Sequence, residues 1–70
     1  MTVKLTNDEA LVLFDFLSRI SKNEPEGLFE DQSEQRVLWN LEAELERQLN
    51  EPLSSDYNEL LSTARQNVRD

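Results

Sequence analysis

Seventy residues carrying 15 acidic and 7 basic side chains, net charge −8, make one small acidic domain. That charge argues against nucleic acid as a partner, because binding it relies on Lys and Arg to release phosphate counterions, and it disfavours anionic lipid likewise. With no histidine and no cysteine, the chain has no disulfide, no ordinary zinc site and none of the His- or Cys-based pairings of acid–base and nucleophilic catalysis.

The first helix announces its start. Thr6 followed by Glu9 is a capping box, in which the hydroxyl accepts one orphan amide and the carboxylate reaches back to another. At 100° per residue, Ala10, Leu13, Phe14, Leu17 and Ile20 share one face. Val12 and Phe16 widen it on one side and Leu11 on the other, leaving a narrow polar stripe of Asp8, Asp15, Ser18, Arg19 and Lys22. A helix apolar around most of its circumference needs several neighbours, so this one is expected at the centre.

Asn23 to Gly27 ends it, with Pro25 unable to continue a helix and Gly27 free to turn. Leu28 and Phe29 follow, apolar within a charged loop, and are expected to tuck under the bundle as a plug; the alternative is an exposed binding pair.

The second helix begins near Asp31 or Ser33, with Glu34 completing an Asp-x-x-Glu capping box. Leu38, Leu41, Leu45 and Leu49 recur at three- and four-residue intervals, with Val37 on the rim. Trp39 stands about a quarter turn off this stripe. Asn50-Glu51-Pro52 stops the helix, and Ser54-Ser55-Asp56 caps a third. There Tyr57, Leu60, Leu61, Ala64 and Val68 form a narrow apolar stripe, and Arg65 and Arg69 suit the negative end of the helix dipole.

The expected fold is all-α: a small three-helix bundle with helices at about 7–22, 32–49 and 55–69 in one domain spanning 1–70. Short joints favour antiparallel neighbours, giving an up-down-up bundle or a more open array completed by a homodimer. No leader or membrane span is legible, which places the chain in the cytoplasm.

Little chemistry is encoded. Abundant glutamates lie on solvated faces, where nothing drives two pKa values apart as a catalytic pair requires. A calcium loop with Gly27 at its sixth position would run from Lys22 to Ser33, and neither end supplies the carboxylate needed. One glycine cannot build a phosphate cradle. The chain reads as a non-enzyme without metal or cofactor.

Two surfaces remain. One is the acidic run Glu24, Glu26, Glu30, Asp31 and Glu34, with no base until Arg36. The other is the apolar surplus of Leu11, Val12 and Phe16 together with Trp39, since uncovered apolar patches mark interfaces and tryptophan is frequent among hot spots. Leu11, Val12, Phe16, Trp39, Glu26, Glu30 and Asp31 are therefore the candidate binding residues. The function expected is a protein–protein interaction module or accessory, regulatory protein, with a basic protein or a second copy as partner. The alternative is an acidic inhibitor that imitates nucleic acid on a basic nucleic-acid-binding protein. The runs Leu5 to Leu11 and Glu34 to Trp39 resemble short helical proteins of bacteria; that resemblance implies a bacterial setting and no activity.

Overall fold

The computed structural model describes residues 2–23 and 27–70. Its elements are α1 (Asn7–Asn23), α2 (Gln32–Gln48), a 3₁₀ turn at Glu51–Leu53 and α3 (Tyr57–Arg69), with no strand among the described residues. The chain is a small all-α three-helix bundle, as its periodicity requires. No helix of the described residues is long and apolar enough to cross a membrane.

The caps explain the boundaries. At the start of α1 the capping box forms as read: Glu9 N–H donates to Thr6 Oγ1 at 3.1 Å, and Thr6 N–H donates to Glu9 Oε1 at 2.9 Å. Asp31 caps α2 by accepting Ser33 N–H at 2.8 Å, its backbone extended as an N-cap requires. Glu34 reaches one residue further back than a capping box would, accepting Glu30 N–H at 2.9 Å. The cap of α3 differs from expectation. Asp56 holds the N-cap position at ψ 20 and makes no side-chain cap bond. The serine works one step earlier, Ser54 Oγ accepting Asp56 N–H at 3.1 Å.

The second and third helices are shorter than their apolar patterns suggest. Leu49 is extended and closes α2 by donating its N–H to the Leu45 carbonyl. The next residues form the 3₁₀ turn, where Pro52 sits in the first turn and its missing N–H costs nothing. Residues Glu24, Pro25 and Glu26, to which the end of α1 was ascribed, lie outside the described residues. Just beyond them, Gly27 takes φ +77, the left-handed turn that a residue without Cβ adopts freely.

One core serves the molecule. Leu11, Phe14 and Leu17 of α1 meet Leu45 and Leu49 at the end of α2 and Leu61 and Ala64 of α3, with Ala10, Val12, Leu13, Leu38 and Tyr57 packed around them. As its broad apolar face predicts, α1 is central: it packs on both other helices, which touch each other far less.

Polar contacts set the directions. Asn7 at the start of α1 donates to Glu51 just past α2, so these two helices are antiparallel. Asn67 near the end of α3 donates to Asp8 at 3.0 Å, and Tyr57 at its start donates to Asp15 at 3.0 Å. The end of α3 therefore runs back toward the start of α1, instead of rising beside it as an up-down-up bundle would have it.

The outcome is open. The Cα radius of gyration is 12.9 Å, against about 11 Å for a compact domain of this length. The accessible surface is 5717 Å², against roughly 4500 Å² for a folded monomer of this mass. Among the described helices, α2 packs on α1 and makes little contact with α3. Hence Leu41, read as part of a buried leucine stripe, is exposed and Leu38 is half-buried, while Leu45 and Leu49 are buried beside α3 residues.

Candidate interaction surface

Where α1 and α2 diverge from the core, apolar side chains line an open groove. Phe16 and Ile20, one helical turn apart, supply the α1 wall, and Val37 and Leu38 supply the α2 wall. Leu28 and Phe29 of the connecting loop close one end, and Ser33 and Glu34 stand at the α2 side of that end. The groove encloses about 540 Å³. Three of its side chains are unusually bare for their size: Phe16 is 48% exposed, Leu28 47% and Val37 62%. Among the described residues none covers them, since α3 packs elsewhere on α1.

Charge sits at the edges of the groove. The Arg19 guanidinium lies 5.7 Å from the centre of the Phe16 ring, within cation–π range. Its Nε donates to Asp15 Oδ2 at 3.0 Å, which holds it there. On the opposite wall Glu34 is the acidic lining residue.

The sequence candidates are distributed differently from expectation. Leu11 belongs to the core, with 1% of its surface accessible. It lies on the side of α1 that α3 covers, so it is unavailable to a partner of the folded chain. Val12 is half-buried against the core. Phe16 is exposed as proposed and forms the groove wall. Trp39 is also exposed, at 45%, but on the far side of the ridge made by Phe29 and Leu38. There it borders a narrow cleft with Leu17 and Ser21 that adjoins the groove through Ile20, Phe29 and Leu38, so Phe16 and Trp39 line neighbouring hollows.

The acidic run is partly committed to local structure. Asp31 caps α2, and its pKa is lowered by the Ser33 hydroxyl and amide. Glu34 spends one oxygen on the Glu30 amide. Glu30 is exposed, and Glu26 lies outside the described residues. Of the described carboxylates in this segment, Asp31 and Glu34 are thus engaged in capping bonds.

Val37 is a surface residue that the sequence does not single out, and at Leu28 the exposed alternative holds. Leu28, expected as a plug, remains outside while its neighbour Phe29 is the half-buried one. Val37 carried a faint signal: it lies off the line of Leu38, Leu45 and Leu49, four residues before Leu41.

A larger hollow, about 720 Å³, lies at the other end of α2 between Asn40, Glu44, Arg47 and Leu53. It is a poorer candidate. Two of its polar side chains are engaged with each other, Arg47 pairing with Glu44. Among the described residues no three acidic side chains converge as a metal site. No protein family, curated protein or solved structure matches the chain.

Proposed function

We propose that the chain is a small protein–protein interaction module, an accessory or regulatory component that binds through the groove between α1 and α2. One observation carries this reading: Phe16, Leu28 and Val37, each about half exposed or more, line one apolar groove together, whereas exposed side chains such as Val3, Leu53 and Val68 lie outside it. Exposed apolar surface gathered in one place is characteristic of interfaces. We place the protein in the cytoplasm on composition.

The test is affinity capture from source-cell lysate with wild-type and Val37→Glu baits, washed at low and then high salt. A specific partner that survives high salt and is lost from the variant supports the reading. A basic nucleic-acid-binding protein held equally by both baits and released by salt would replace it with the nucleic-acid mimic. Bait recovered alone confines the reading to self-association.

A further inference from the structure

We infer that the occupant of the groove is a second copy of this chain, an inference that rests on the groove being a protein-binding surface. Three observations single out this partner.

The first is area. The chain exposes 5717 Å², roughly 1200 Å² more than a folded monomer of its mass. A standard interface removes about 800 Å² from each partner. The surplus is spread over the chain, Val3, Leu5 and Leu53 included, and the share of it at Phe16, Leu28 and Val37 is what one self-contact through the groove removes.

The second is shape. A two-fold interface uses the same patch twice, so that patch must hold both a recess and something to fill it. Here Val37 is 62% exposed at the lip of an apolar recess of about 540 Å³. Two such faces, each made of α1 and α2, close into a four-helix layer, which gives α2 a further helix to pack on.

The third is charge. A groove awaiting a basic partner would be ringed by carboxylates alone. This one has Arg19 beside Phe16 on one wall and Glu34 on the other. A two-fold axis parallel to the helices sets the Arg19 edge of each copy against the Glu34 edge of its mate. The net charge of −8 per chain still opposes association at long range. Salt screens that repulsion along with the Arg19–Glu34 attraction and leaves apolar contact intact, so with −8 on each chain the net effect is that dimerisation strengthens as salt rises. Binding of a basic partner would weaken.

Sedimentation velocity across a concentration series, at low and high salt, tests the inference. The wild type should move from the 8.2 kDa chain mass toward twice that value, at lower concentration when salt is high. Val37→Glu, on an exposed residue, should keep the helical circular dichroism and raise the dimer dissociation constant about tenfold or more. Leu53→Glu, at an 88% exposed position away from the groove, should change nothing. A single-chain mass at every concentration overturns the inference, as does a dimer that Leu53→Glu breaks and Val37→Glu spares. If the chain stays monomeric while Val37→Glu abolishes capture of a different protein, the second copy is wrong and the interaction surface stands. If it stays monomeric and capture ignores Val37→Glu, both fall.

Discussion

The Tyr57 hydroxyl donates to Asp15 Oδ1 at 3.0 Å, bridging the start of α3 and the middle of α1. The other Asp15 oxygen accepts from Arg19 and Arg65, each at 3.0 Å. Only 15% of the Asp15 side chain is exposed. A residue on the polar stripe of α1 is therefore a joint between helices. With Asn67 on Asp8, it orients α3 across α1.

Alkaline pH should open this joint. Burial, and then the Asp15 carboxylate accepting its proton, push the Tyr57 pKa up to about 12, against the opposing pull of Arg65 and Arg19. Its ordinary value is 10.0. Because the folded value is the higher one, the stabilisation is complete below pH 10 and is lost as pH rises from there toward about 12. Tyr57 is the sole tyrosine, so its phenolate absorbance reports the titration directly. Urea unfolding of Tyr57→Phe should show a loss of about 1 kcal/mol at neutral pH and a flatter alkaline limb than wild type. Equal alkaline limbs would show that other groups govern that range.

The acid limb belongs to the caps. Glu9 is lowered from 4.5 by the Thr6 amide and hydroxyl, Asp31 from 3.8 by Ser33, and Glu51 from 4.5 chiefly by Asn7. Each contributes stability above its ordinary value, and that contribution disappears as pH falls through the lower folded value. Thr6→Ala should cost about 1 kcal/mol at neutral pH. Thermal melts from neutrality down through the carboxylate range should show only slightly less acid dependence in this variant than in wild type, because the Thr6 amide that lowers Glu9 most is retained.

Burial separates two leucines that the sequence does not rank. Leu11→Ala removes a side chain with 1% exposure, at a cost of about 2–5 kcal/mol. A core this small supplies only about 3–5 kcal/mol, so the variant should be largely unfolded by far-ultraviolet circular dichroism at room temperature. Leu53→Ala, at 88% exposure, should shift stability by no more than about 0.5 kcal/mol. A folded Leu11→Ala chain would show that the α1–α3 contact is not essential to the core.

Local information determined most of the architecture. The period of Leu11 to Ile20, the capping residues Thr6 and Asp31, and the breaks around Gly27 and Pro52 each act within a few residues, through hydrogen bonds and backbone sterics that depend on nothing distant. The sequence by itself therefore specified three helices, the central place of α1 and the absence of histidine and cysteine chemistry. Which apolar residues became surface was decided only by the tertiary structure. Leu11 and Phe16 look equally surplus on a helical wheel, and exposure depends on how many neighbours reach each side. Here α3 crosses α1 over Leu11 and leaves the other side open, where Phe16 meets Leu28 and Val37. A crossing direction comes from contacts far apart in the chain, such as Asp15 with Tyr57 and Asp8 with Asn67, and no periodicity records those.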